Sequence, residues 1–211
     1  MKKQDVCVKK ERLVSLVDAM LAIIMTLLVL NLQRPVKLTL AGFWALRNAY
    51  FAYTLSFFWL GMLWLSLNQL FAQISYVSNR TMAIGLAMLF VCSLVPYVTM
   101  LASDAFYSQL VQTIFGLYTG AVNLLFIALL HGVDCCGKDT DRFKLYIHDQ
   151  TRLLISSMLF KLAGIVVCQT MYPPAVMISI ILSAILSWFA GPFHSQKVIL
   201  DKVQEKSKCE E

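Results

Sequence analysis

Six separate runs of about twenty mostly apolar residues dominate this 211-residue chain. A bilayer core about 30 Å thick needs roughly 20 such residues per helical crossing. The runs cover 13–32, 50–74, 82–102, 110–131, 153–171 and 175–193. They are too long and too continuously apolar for barrel strands, which alternate over about ten residues. The expected fold is therefore all-α and integral to a membrane, a single six-helix domain over 1–211 with a tail at 194–211. Composition agrees: 59% of residues are hydrophobic and 14% charged, against about 45–50% and about 25% in a soluble domain. The first run follows Lys2, Lys3, Lys9 and Lys10, as a signal peptide would. It is longer than such a segment and has no small-residue cleavage site, so it reads as a retained helix.

The sparse charges give the topology. Of the 18 Lys and Arg residues, 14 fall at the N-terminus, at Arg80, in the 132–152 connection and in the tail. The opposite side holds Arg34, Lys37 and Arg47, and Lys161 lies inside the fifth run. Basic residues accumulate in cytoplasmic loops, so both termini and the 132–152 connection are expected in the cytoplasm. The 33–49 segment, with Phe43 and Trp44, is expected to form an interfacial helix entering the second span.

Catalytic patterns are absent. There is no P-loop, GxSxG, HExxH or dinucleotide-binding fingerprint, so an enzyme is not expected, and neither is a cofactor. A TVGYG filter and a voltage-sensor arginine ladder are also missing. His131, His148 and His194 are scattered, and His131 with Asp134, Cys135 and Cys136 has poor metal spacing. No metal site is expected.

Asp18 is the exceptional residue, because an acid in a span is costly and almost always faces other protein. Ile23, Thr26, Leu27 and Leu30 follow it at spacings that put them on one helix face. Ile23 lies about 140° round the helix from Asp18, so the acid points away from that stripe. Such a stripe is by itself ordinary packing. A threonine within it can bond its own i−3 or i−4 carbonyl or turn toward water. Lys161, Asn31 and Asn123 read as polar contacts between helices or, for the lysine, as a snorkelling side chain. Trp59 and Trp188 read as packing or interfacial aromatics.

The first run resembles the opening helix of the transmembrane protein 175 family, the endosomal and lysosomal potassium channels and their prokaryotic relatives. The family pattern RxxxFSD followed by AIxxTLLxL is met by Arg12, Asp18, Ala22, Ile23, Thr26, Leu27, Leu28 and Leu30. Leu16 and Val17 replace the Phe and Ser of the triplet. The second run matches SF…W..HH.lF at Ser56, Phe57, Trp64, Leu70 and Phe71, with Leu67 and Asn68 in place of the paired histidines. The third run carries Ser93-Leu94-Val95-Pro96-Tyr97, similar to the family's SLLPF.

The resemblance implies a homotetramer of six-helix subunits whose first helices line one central pore for potassium in the plasma membrane. It implies a hydrophobic constriction and a threonine ring at Ile23, Thr26, Leu27 and Leu30. It also implies a network at Arg12, Asp18, Trp64 and Asn68 that holds the first helix to the second. The residues themselves leave two other classes open: a proton-coupled transporter or proton pathway titrating Asp18, or a non-conducting membrane interaction protein.

Overall fold

A computed structural model describes residues 8–134 and 141–190. The fold over these residues is a helix bundle. Its elements are β1 (Val8–Lys9), α1 (Glu11–Leu30), α2 (Leu40–Ala45), α3 (Arg47–Ala72), β2 (Tyr76–Val77), α4 (Asn79–Ser93), α5 (Val95–Asp104), α6 (Gln109–Asp134), α7 (Asp141–Thr170) and α8 (Ala175–Ala190). The expected tail, Trp188, Cys135, Cys136 and His194 fall on residues or side chains outside this description.

Five segments are long and apolar enough to cross a membrane: α1, α3, α4 with α5, α6 and α7. The sixth run forms α8, described over Ala175–Ala190. The third run is broken as its proline requires. Pro96 has no N–H and sits at the start of α5, so the ladder stops at Leu94 and restarts. The 33–49 segment does contain a helix, the short α2. Thr39 caps it by accepting the Gly42 N–H at 3.2 Å, and every residue around Trp44 and Phe43 is exposed or half-exposed.

The fifth run needs a correction. Its helix begins at Asp141 rather than near 153, so most of the connection described after α6 is helical. Phe143, Ile147 and Gln150 are buried at i, i+4 and i+7. A stripe that narrow suffices for an amphipathic helix, yet it does not raise average hydropathy, which is why an apolar run misses it. The β1–β2 pair is also new: Val8 lies opposite Val77 and Lys9 opposite Tyr76, antiparallel.

Helix ends alternate between two ends of the bundle. At one end β1 meets β2, and the Thr81 hydroxyl donates to the Gly132 carbonyl at 3.0 Å. At the other, Gln33 donates to Asp104 at 3.4 Å and Gln109 to the Gln169 carbonyl at 3.4 Å. The structure therefore gathers Lys9, Lys10, Arg80 and Lys144 toward one end and Arg34 and Lys37 toward the other, as the loop charges predict.

Close packing without a hydrophobic driving force favours small residues between helices in lipid. Gly164 of α7 and Ser179 of α8 meet this way, and a Cβ on Gly164 would lie 2.6 Å from the Ser179 Cβ. Gly61 on α3 has nothing within 4 Å of the same position. Gly164→Val is expected to destabilise the detergent-solubilised protein by about 1–3 kcal/mol through overpacking. Gly61→Val should leave the melting temperature nearly unchanged, and equal shifts in the two variants would contradict this packing.

Candidate functional site: the outward face of the first helix

The most apolar of the five long spans is one of the least covered. The spanning window of α1 has a mean hydropathy of 2.6, yet only 28% of it is buried, against 44% for α3, for α4 with α5 and for α6. The covered face consists of Leu13, Val17, Leu21, Ile24 and Leu28, packed against α3, α4 and α5. Leu13 reaches over Gly85 of α4, where a Cβ would come within 3.1 Å of its Cδ1.

The predicted stripe lies on the uncovered side. Ile23 is 54% exposed, Leu27 42% and Leu30 75%. Thr26 is exposed beside them, and its hydroxyl donates to the Ile23 carbonyl at 2.7 Å. The hydroxyl oxygen keeps acceptor capacity directed away from the helix. Four residues that sequence spacing placed on one face thus form a continuous apolar surface with one hydroxyl.

The predicted network is half assembled. The Trp64 indole N–H donates to Asp18 Oδ1 at 2.8 Å, joining α3 to α1. Trp64 is 40% exposed and Asp18 half-buried. Arg12 is exposed, Asn68 is half-buried, and neither makes a hydrogen bond among the described residues. The structure therefore brings Asp18 and Trp64 together within one subunit and does not bring Arg12 or Asn68 to them.

Three contacts that position α1 are not evident from the motif. Lys10 Nζ donates to the Phe71 carbonyl at 2.6 Å, anchoring the start of α1 to the end of α3. Asn31 Nδ2 donates to the Pro96 carbonyl at 3.0 Å, anchoring its end to the broken third span. Gln33 adds the bond to Asp104 noted above. Asn31 and Pro96 are separately visible in the sequence, as a polar residue at a span end and a helix break. Nothing in their 65-residue separation signals that they pair.

Lys161 is 2% exposed, so it does not snorkel. Its ammonium lies 3.4 Å from the Thr119 carbonyl and 5.9 Å from the Trp59 ring centroid. Partners of this kind, a carbonyl and an aromatic face, hold a cation without a carboxylate. Lys161 therefore joins α7 to α6 and α3 behind the site. Among the described residues no group of three or more His, Cys, Asp or Glu side chains could hold a metal.

Known proteins share part of this sequence and its fold. The sequence profile of the endosomal/lysosomal potassium channel TMEM175 matches residues 12–96, which hold both partners of the Asp18–Trp64 bond. The chain thus resembles the TMEM175 family over its first three apolar runs. A similar protein, Potassium channel HX13_20290 of Chryseobacterium sp. (strain P1-3), is 26% identical over 198 residues, covering 94% of this chain and 97% of that one. Potassium channel B446_29190 of Streptomyces collinus is 29% identical over 120 residues, covering 53% and 58%. The crystal structure of a lysosomal potassium-selective channel TMEM175 homolog from Chamaesiphon minutus superposes with a TM-score of 0.68 at 15% identity. It covers 87% of this chain and 98% of that one, so the TMEM175 fold extends well beyond the matched motif.

A double-mutant cycle checks the α1–α3 bond. Asp18→Ala and Trp64→Phe are expected to show a coupling of about 0.5–1.5 kcal/mol in thermal unfolding, the range of interhelical hydrogen bonds in membranes. Strict additivity would mean that the bond does not form in the membrane.

Proposed function

We propose that this chain is a potassium-permeable cation channel, formed by four copies that bring their α1 helices around one axis. The observation that carries the proposal is the uncovered stripe of Ile23, Thr26, Leu27 and Leu30. An apolar helix face left open by its own subunit is covered either by lipid or by another copy. The match of residues 12–96 to the TMEM175 profile and the similarity to proteins named as potassium channels favour the second.

Four such faces stack apolar side chains into rings. A narrow apolar ring expels water, and an ion must shed part of its hydration to pass, so the ring acts as a gate by dewetting. Ile23, Leu27 and Leu30 form the constriction, and the four Thr26 hydroxyl oxygens offer the permeating cation its polar contact there. No carbonyl-lined filter is encoded, so discrimination between cations rests on ring width and on those hydroxyls. Passage is passive, down the electrochemical gradient, and needs no cofactor. Asp18 takes no part in contacting the ion. It is turned from the stripe and engaged by Trp64, which favours a channel over a carrier that titrates this acid.

The same reading makes α8 the sixth span. Both termini then lie in the cytoplasm of the plasma membrane. A C-terminal alkaline phosphatase fusion, active only outside the cytoplasm, is expected to be inactive, and an active fusion would reverse the orientation.

The decisive experiment is potassium flux through reconstituted vesicles. Leu27→Ala widens the ring and Ile23→Asn wets it, so each should raise flux by about tenfold for every 1.4 kcal/mol removed from the barrier. Native mass spectrometry should report four 23.8 kDa subunits. Unchanged flux in both variants, or a monomer, would overturn the pore assignment.

A further inference from the structure

The connection between α1 and α3 carries a second uncovered apolar surface. Val36 is 100% exposed, Leu40 91%, Leu38 85% and Trp44 71%. α2 rests against α3 yet buries none of its residues. The segment is nonetheless built. The Thr39 N–H donates to the Lys37 carbonyl at 2.9 Å, the Thr39 hydroxyl oxygen accepts the Gly42 N–H at 3.2 Å, and the Phe43 N–H donates to the Thr39 carbonyl at 3.0 Å. A Cβ at Gly42 would collide with the Lys37 carbonyl, so the turn closes only around a glycine. Its own backbone thus holds four large apolar side chains outward, and such a patch marks an interaction surface.

Depth and charge identify what covers it. α1 has 20 residues, about 30 Å at 1.5 Å per residue, which equals the hydrocarbon thickness. The segment starts where that helix ends and stops where α3 begins, so it lies at the level of the headgroups. Apolar and aromatic side chains at this depth enter the acyl boundary. Arg34 and Lys37 flank Val36, both exposed and without a hydrogen bond or ion pair among the described residues. Arg47 follows, with one N–H on the Trp44 carbonyl at 3.3 Å. The sequence has one acid between Asp18 and Asp134, namely Asp104. It already accepts Gln33 at 3.4 Å and Ser103 at 3.5 Å. A neighbouring copy therefore brings to this end three more cations and a single engaged carboxylate. A phosphate-bearing surface meets the charge instead.

We propose that the 34–47 segment docks on an anionic lipid surface, with Val36, Leu38, Leu40 and Trp44 in the acyl boundary and Arg34 and Lys37 on headgroup phosphates. Apolar side chains gain from burial there, and basic ones from the negative surface. The consequence reaches α1. Asn31 and Gln33, which tie its end to the Pro96 carbonyl and to Asp104, adjoin the segment in sequence. Anionic lipid thus steadies the end of the helix that carries Leu30. The orientation proposed above makes this the outer leaflet. The docking itself needs only the exposed segment and stands whether or not α1 lines a pore.

The test uses the full chain, labelled with 5-fluorotryptophan, in nanodiscs, whose two lipid faces make it independent of orientation. The Trp44 resonance is the one absent from Trp44→Phe. In phosphatidylcholine discs with increasing phosphatidylglycerol it should shift saturably. A phospholipid spin-labelled near its ester should broaden it. Arg34→Gln and Lys37→Gln should each weaken the preference for phosphatidylglycerol about fivefold, the loss expected for one basic residue at a membrane surface. Val36→Ser combined with Leu40→Ser should remove most of the broadening. These four side chains are exposed, so all variants should melt at the wild-type temperature. No broadening by the spin-labelled lipid would mean that a second copy covers the segment. An equal shift in the charge variants would mean that the basic residues do not contact headgroups. Either result would overturn the proposal.

Discussion

A hydrocarbon layer supplies no hydrogen-bond partner, and this constraint shapes nearly every polar contact in the bundle. Each span must satisfy its own backbone, which only helices do within one segment. The polar side chains that remain then turn to neighbours or back onto their own turn. Ser56 and Thr99 share a 2.7 Å bond between α3 and α5, and Asn123 donates to Ser157 at 3.1 Å between α6 and α7. Thr119, Ser179 and Ser183 each donate to the carbonyl three residues earlier. The one interrupted span shows the rule most clearly. Where Pro96 breaks the ladder, the Tyr118 hydroxyl donates to the Val91 carbonyl at 2.6 Å and Asn31 to the Pro96 carbonyl at 3.0 Å. The break thus becomes the point where α1, α4, α5 and α6 are joined.

How much of this was legible beforehand depended on the type of signal. The apolar runs located five spanning segments because hydropathy over twenty residues is a bulk property and survives errors of detail. The stripe at Ile23, Thr26, Leu27 and Leu30 was legible because helical periodicity alone decides which residues share a face. Periodicity could not say which face the subunit would leave uncovered, since Leu21, Ile24 and Leu28 are equally apolar. That distinction came from the resemblance and from the packing of α1 against α3, α4 and α5.

Other features were hidden for physical reasons. The start of α7 at Asp141 rests on two apolar residues and Gln150 among charged ones, a pattern diluted in any average. The Asn31–Pro96 and Lys161–Thr119 bonds depend on tertiary proximity, and neither residue's identity names its partner. The motif network shows the reverse failure. Arg12 and Asn68 occupy positions of the resembled pattern yet make no side-chain hydrogen bond among the described residues, while Asp18 and Trp64 pair.

That pair matters because a helix has a rotational degree of freedom that apolar packing sets only weakly. Leu, Ile and Val surround α1 on nearly every side, so a twist about its axis would exchange one apolar face for another at little cost. A directional bond removes this degeneracy. Asp18 held by Trp64 fixes one azimuth, and Lys10 and Asn31 fix the two ends through the Phe71 and Pro96 carbonyls. With three polar contacts along about 30 Å of helix, the direction of the Ile23–Leu30 face follows without further constraint. The costly acid in the first span is therefore explained by orientation: it specifies which of several similar apolar faces the helix presents outward.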